Sequence, residues 1–300
     1  MFSVVKTKKI WFSVSGILFG LSILAVVVWG FKLGIDFTGG SLVEFSVTGN
    51  RAEATIIADA LQPVLNDKPQ VQSLGETSYI VRTKFIDEAK HQEMLSAIKK
   101  IPKMGEIHEA RFETIGPTVS SELQRRAVWS IFMVLAAIII YIAWAFRQVS
   151  FPLPSWKFGI VAVVALLHDI FIPAGVFAFL GHVANYEVDT LFVTAMMTIL
   201  GFSVHDTIVT FDRVREHLKF TPKADFPELV DKSVRETFGR SINTSFTVLL
   251  VLLAVYFFGG ESVKHFNLVL IIGVVAGTYS SIFIACPLLV VWNKLARNTA

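Results

Sequence analysis

The residue with the most to say about chemistry is Asp206, which sits in an apolar run from Val188 to Phe211. A carboxylate at membrane depth costs on the order of 3 kcal/mol even on the mildest insertion scale, so something must offset it, and such groups usually mark ion pathways. Thr210 and Arg213 follow at i+4 and i+7 on the same helical face. With Arg213 at the membrane edge, Asp206 lies about 10 Å inside it at 1.5 Å of rise per residue. A second polar stripe, Arg240, Asn243, Thr244 and Thr247, opens a later apolar run. The spacing predicts that the two stripes meet, with Arg240 beside Asp206. Burial disfavours the ionised acid and a guanidinium favours it, so parting the two by a helix shift would let the acid take up a proton.

His168 and Asp169 lie near the middle of another apolar run, and His205 directly precedes Asp206. The first two either extend a proton relay or hydrogen-bond across helices. Because neighbours on a helix point about 100° apart, only one of them is expected to face Asp206. His205 reads either as a second titrating group near neutral pH or as a plain hydrogen-bond partner.

The elements that must hold these residues are six apolar runs: Ile10 to Gly30, 127–146, 158–180, 188–211, 242–258 and 266–292. About 20 apolar residues cross a ~30 Å hydrocarbon core, so each reads as a transmembrane helix. Composition agrees, with 53% hydrophobic residues, 26 Phe and only 17% charged. Lys6, Lys8 and Lys9 before the first run give it the look of a secretion signal, but it is too long and lacks a small-residue cleavage site; it reads as an uncleaved anchor. The chain therefore divides into a tail and first span (1–30), an external domain (31–126) and a bundle of five further spans (127–300), with a loop at 212–241.

Orientation follows from Lys and Arg in the tails and short loops. With the N-terminus in the cytoplasm, fourteen of these lie inside, Arg147 and Lys157 among them, and only Lys264 lies outside. Both termini and the 212–241 loop are then cytoplasmic, and that basic, amphipathic loop reads as a helix on the lipid surface. The turn from Phe151 to Trp156, with Pro152 and Pro154, reads as interfacial. The external insert balances twelve basic against thirteen acidic residues, which excludes a nucleic-acid surface.

The single cysteine, Cys286, falls in the last span, so the insert folds without a disulfide. Val43, Phe45 and Val47 alternate as a strand, and Ile56, Ile57, Ala60, Leu61 and Val64 recur at helical spacing. Strands follow near Val71 to Leu74 and Tyr79 to Thr83. Asp87 is placed to cap a helix carrying Met94, Leu95, Ile98 and Ile101 on one face, and a last strand runs near Ile107 to Thr114. Strand, helix, two strands, helix, strand is the ferredoxin-like order. The expected fold class is a polytopic α-helical membrane protein of six transmembrane helices, with a small ferredoxin-like α+β extracytoplasmic domain between the first and second.

Several motifs then become recognisable: Gly34-Ile35-Asp36-Phe37-Thr38-Gly39-Gly40, Gly116-Pro117, Leu167-His168-Asp169, Gly201 to Thr207 running into Asp212 to Glu216, Arg240 to Ser245, and Phe258-Gly259-Gly260. The chain resembles the SecF family, the smaller of two related subunits that assist the bacterial Sec translocon, within the resistance-nodulation-division superfamily. The resemblance covers nearly the whole chain. It implies residence in the bacterial inner (plasma) membrane, SecD, the SecYEG translocon and translocating preproteins as partners, no nucleic acid, and the proton gradient as energy source with no cofactor. It also implies that proton flow through Asp206 and Arg240 moves the external domain, which helps pull or hold emerging preproteins. His205 stands where many relatives have Asn, and the Pro152-Pro154 turn departs from the family's aromatic and basic run.

Structural readings stand beside these. Gly34, Gly39 and Gly40 permit tight turns where a helix becomes a strand, with Asp36 and Thr38 bonding local backbone; Gly116-Pro117 reads as a break before an amphipathic helix. Intramembrane hydrolysis is disfavoured, since there is no His-Glu-x-x-His helix and Gly201 to His205 lacks the second glycine of a nucleophile elbow. No catalytic residue and no metal ligand is expected. The competing function is a self-contained proton-driven exporter of small molecules or lipids; six spans and one insert look instead like half of a unit that needs a relative.

Overall fold

The computed structural model describes residues 3–49, 52–74, 77–102, 104–145, 154–221 and 224–298. In chain order the helices and strands are α1 (Lys8–Trp29), α2 (Ile35–Thr38), β1 (Gly40–Val47), α3 (Ala54–Leu65), β2 (Gln70–Leu74), β3 (Ser78–Thr83), α4 (Glu88–Lys99) and β4 (Ile107–Ile115). They continue as α5 (Pro117–Ala145), α6 (Ser155–Ala184), α7 (Thr190–Phe220), α8 (Phe226–Phe258), α9 (Glu261–Ser280), a π-turn (Ser281–Ala285) and α10 (Cys286–Asn298). The chain forms two compact units, Leu33–Val128 and Met1–Lys32 with Trp129–Ala300.

In the first of these units the antiparallel sheet runs in the order β2-β3-β1-β4, the ferredoxin-like arrangement. Alternation puts Val43, Phe45 and Val47 of β1 and Tyr79 and Val81 of β3 on one face, where Ile57, Leu61, Met94 and Ile98 of α3 and α4 cover them. Phe45 lies opposite Tyr79 and Val43 opposite Val81 in the register, so the pairs stack across the strands. Each large side chain buried here contributes about 1.5–3 kcal/mol. Tyr79 keeps its hydroxyl satisfied by donating to the Ala52 carbonyl at 2.7 Å. Asp87 caps α4 by accepting from the Lys90 N–H at 2.9 Å.

The glycine motif forms the one-turn helix α2 and the corner into β1. Thr38 Oγ1 donates to the Gly34 carbonyl at 3.0 Å, and Asp36 sits in the first turn. Gly39 and Gly40 have φ of 72° and 125°, and a Cβ on Gly40 would stand 2.6 Å from the Thr83 carbonyl oxygen. Only glycine fits this corner. Gly116-Pro117 forms the expected break before a helix: β4 ends at Ile115, and Pro117 is the first residue of α5, where its missing N–H costs nothing and from which α5 runs for 29 residues.

Among the described residues six helical stretches are long and apolar enough to cross a membrane, the last of them combining α9, the π-turn and α10. Small residues let them approach closely, as packing in lipid requires. Gly175 of α6 lies against the Ser22 backbone of α1, and Gly273 and Gly277 of α9 lie against Ile199 and Ser203 of α7. Helix α9 packs on α6, α7 and α8. The segment 212–241 is not the expected loop with a surface helix: α7 continues to Phe220 and α8 begins at Phe226. Apolar residues of both extensions, Val214, Leu218, Leu229, Val230 and Val234, join a buried cluster with Val4 and Val5, which is why the segment stays helical and packed. Phe146, Arg147, Phe151 and Pro152, between the second and third apolar runs, lie outside the described residues.

Candidate functional site

The inward face of α7 carries Ile199, Ser203, Asp206, Thr207, Thr210 and Val214, spaced by three and four residues. Asp206 is buried at 9% exposure. Its Oδ1 accepts from the Ser241 hydroxyl of α8 and its Oδ2 from the Ser281 hydroxyl at 2.5 Å, where the π-turn begins. One turn further along, Thr210 bridges to Thr237 of α8 at 3.3 Å, and Ser245 of α8 meets Thr278 of α9 at 2.5 Å. Hydroxyls therefore tie α7, α8 and α9 around the acid. Among the described residues no cation pairs with Asp206.

Arg240 is not where the stripe of charged and amide residues predicts. It is exposed, as are Asn243, Thr244 and Thr247, so that whole stripe faces away from α7. The inward face of α8 is instead Val230, Val234, Thr237, Ser241 and Ser245, one residue round. Small hydroxyls fit between close-packed helices, whereas a guanidinium with five donors would be left unmatched there. Arg213 likewise turns out of the acid's face: it pairs with Glu236 of α8 and, at 2.5 Å, with Glu216. His205 is exposed, about 100° round α7 from Asp206.

His168 and Asp169 are both buried, Asp169 completely. Asp169 Oδ2 accepts from Ser203 of α7 at 2.5 Å and from Ser280 of α9 at 2.7 Å, and its Oδ1 lies 2.9 Å from His168 Nδ1. The ring of His168 stacks between Phe19 and Tyr279. The two clusters adjoin along the chain at two points, since Ser203 is three residues before Asp206 and Ser280 adjoins Ser281. Four serines that hold the acids, Ser203, Ser241, Ser280 and Ser281, were not singled out by charge patterning. For Ser241 the repeat Thr237, Ser241, Ser245 at steps of four is the trace left in the sequence. Among the described residues no three His, Cys, Asp or Glu side chains converge as a metal site. Asp36, Gly34, Thr38, Gly39, Gly40, Gly116 and Pro117 belong to the other unit and serve its corners.

Residues 95–295 match the family described as "Protein export membrane protein SecD/SecF, C-terminal", and residues 27–50 match the "SecD/SecF GG Motif", which contains Gly39 and Gly40. The chain is 37% identical to the protein translocase subunit SecF of Thermobaculum terrenum, covering 98% of this chain and 95% of the relative. It is 36% identical to that of Anaerolinea thermophila with the same coverage, and 33% identical to that of Haemophilus influenzae over 93% of this chain and 82% of the relative. Among solved structures it is similar to SecDF of Thermus thermophilus, described as a translocon-associated membrane protein, with a TM-score of 0.84 at 29% identity over 98% of this chain. A SecDF structure in the super-membrane-facing form gives 0.70 at 28% identity over 99% of this chain. The chain spans 39% of each SecDF polypeptide. The curated relatives bear the names of translocase subunits, parts of a transport machine rather than enzymes.

Proposed function

The chain belongs to the SecD/SecF family of protein export membrane proteins, and from that premise we propose that it couples the proton motive force to the late stages of preprotein export, with Asp206 as the proton carrier. It acts in the bacterial plasma membrane with both termini cytoplasmic, as its Lys and Arg distribution favours. It works beside SecD and the SecYEG translocon, and needs no cofactor beyond the gradient. The observation that carries this reading is a carboxylate buried among hydroxyls of neighbouring helices with no cation among the described residues paired to it.

Arg240 keeps a part in this reading, though a different one from direct contact. It adjoins Ser241, which already holds Asp206, so a turn of α8 by about 100° exchanges hydroxyl for guanidinium at the acid. The hydroxyl arrangement suits an acid ready to load, and the guanidinium arrangement an acid that has released its proton. The exposed stripe Arg240, Asn243, Thr244 and Thr247 is costly against lipid and is accounted for by a covering membrane partner, SecD in this reading. One charge moved through 100 mV supplies about 2.3 kcal/mol, enough to bias a two-state movement of the external unit. It falls short of the roughly 5–15 kcal/mol that unfolds a stable domain, so the stroke is a conformational bias on emerging chains.

The test is preprotein export into membrane vesicles with ATP supplied, with and without a proton gradient. Asp206→Asn and Arg240→Met are each expected to lose the gradient-stimulated part while ATP-driven insertion survives. Undiminished stimulation in either variant rejects the proposed role of that residue.

A further inference from the structure

A second acid, Asp169, is buried more completely than Asp206 and has no part in the reading above. Its surroundings repeat those of Asp206: serine hydroxyls from neighbouring helices donate to both carboxylates. The two sites meet at one place in the chain, Ser280-Ser281, where α9 passes into the π-turn. Ser280 serves Asp169 on α6 and Ser281 serves Asp206 on α7. Wide turns of this kind occur mostly as single insertions and often at functional positions.

Among the described residues, these two serines each have a second acceptor, whereas Ser203 and Ser241 each have one. Ser280 Oγ also lies 3.1 Å from the Gly277 carbonyl, and Ser281 Oγ lies 3.0 Å from the Thr278 carbonyl. A hydroxyl has one hydrogen and two lone pairs. Facing an ionised acid, each serine gives its hydrogen to the carboxylate. When the acid gains a proton, a new O–H forms on the carboxyl and donates to the serine oxygen, and the serine hydrogen swings to the carbonyl one turn back. Release reverses this, and no covalent bond of the serine breaks. Both protonation states therefore keep the carboxyl group and the serine hydroxyl paired, as burial of these groups demands.

We propose that Asp169 is a second proton-binding acid, and that Ser280 and Ser281 are the positioning residues that allow Asp169 and Asp206 each to hold or release a proton within the packed bundle. The proposal rests on the reading of Asp206 as a proton carrier. The neighbouring imidazole supports it independently. His168 Nδ1 faces Asp169, while His168 Nε2 is buried and bonds to none of the described residues, so one ring nitrogen remains open to a proton or a water. Among the described residues, the titratable groups near the acids are few. On α6 it is His168, on α9 Tyr279, whose hydroxyl is engaged with Ser15 and the Trp11 carbonyl, and on α10 the buried Cys286 beside Asp206. From α8 none faces inward at this level, and from α1 the contact with His168 is the ring of Phe19.

Infrared difference spectra of the full chain in lipid nanodiscs, taken between acidic and alkaline buffer, read the carbonyl stretch of buried protonated carboxyls directly. Two such bands are expected, one lost in Asp169→Asn and the other in Asp206→Asn. Ser280→Ala is expected to shift the frequency of the first band alone and Ser281→Ala that of the second alone, with Ser280→Thr and Ser281→Thr restoring each. The band left unshifted in each alanine variant reports that the bundle is still folded. If Asp169→Asn removes no band while Asp206→Asn does, the second acid is refuted and the reading of Asp206 stands. If Asp206→Asn removes none, that reading falls and takes this proposal with it. Alanine variants that leave both frequencies in place refute the role of the serines.

Discussion

The main-chain N–H of Val5 donates to the carboxylate of Asp231 at 3.0 Å, fastening the chain's N-terminal segment to the start of α8. Ser3 donates to the same carboxylate, and Val4 and Val5 are buried beside Val230 and Val234. A polar anchor and an apolar seat thus act together on a segment with no regular structure of its own.

Asp231→Ala leaves the Val5 N–H without its acceptor in a buried place, at a cost of about 1–3 kcal/mol. Hydrogen exchange at residues 3–7 of the full chain is expected to accelerate strongly while exchange in α6 and α9 stays unchanged. Unaltered protection at Val5 would show that the apolar seat suffices alone.

Gly175 tolerates nothing larger. An alanine Cβ there would stand 2.4 Å from the Ser22 Cα, and backbone cannot swing aside as a side-chain tip does. Gly175→Ala is expected to destabilise the bundle by about 1–3 kcal/mol or more, as overpacking does. Gly20→Ala, in the same α1 and with open space around it, is the control and is expected to be neutral or slightly favourable in thermal unfolding.

Gly40→Ala combines a φ of 125° with a clash of 2.6 Å against the Thr83 carbonyl oxygen. The backbone conformation alone costs about 1–3 kcal/mol for a residue with a Cβ, and the β1–β3 pairing must also open to admit the methyl group. Gly116→Ala, with free space and no positive φ, is expected to leave the sheet intact. Amide exchange across β1 and β3 distinguishes the two.

The exposed pair Lys84–Asp67, 2.9 Å apart, gives a pH dependence. The Lys84 ammonium, and after it the Lys68 N–H, holds the Asp67 carboxyl below the usual carboxylate range. A carboxyl depressed in the folded state contributes stability that is present above its unfolded pKa of about 4 and is lost as pH falls through the folded value. Lys84→Met is therefore expected to lower the thermal midpoint slightly at neutral pH, with the difference from wild type closing in acid. Added salt should shrink it at any pH, because both partners face solvent. A difference that persists in acid assigns the effect to something other than the ion pair.

What the sequence disclosed and what it hid divide along physical lines. The strands and helices of the small unit are legible because Val43, Phe45 and Val47 keep period two and Ile57, Leu61, Met94 and Ile98 keep helical spacing, each burying one face. The long helices are legible from hydropathy, but the ends of α7 and α8 are not, since apolarity alone does not separate a helix leaving the bilayer from a loop. Asp206 is legible because charge in an oily run stands out. Its partners are not: Ser241, Ser280 and Ser281 are unremarkable in composition, and placing Arg240 on their face assumed that charge seeks charge. Close packing decided otherwise, favouring the hydroxyls at 237, 241 and 245. The π-turn has no sequence signature at all.

The seat of Ser22 on Gly175 bears on how the molecule is made. Helix α1 leaves the ribosome long before α6, and the whole folded insert is synthesised between them. The first span must accordingly wait among acyl chains, held by its own greasiness, until the later helix arrives with the groove that receives it. Closure of the two helices squeezes lipid from between them, and a bulky residue at position 175 would oppose that step after both spans have inserted.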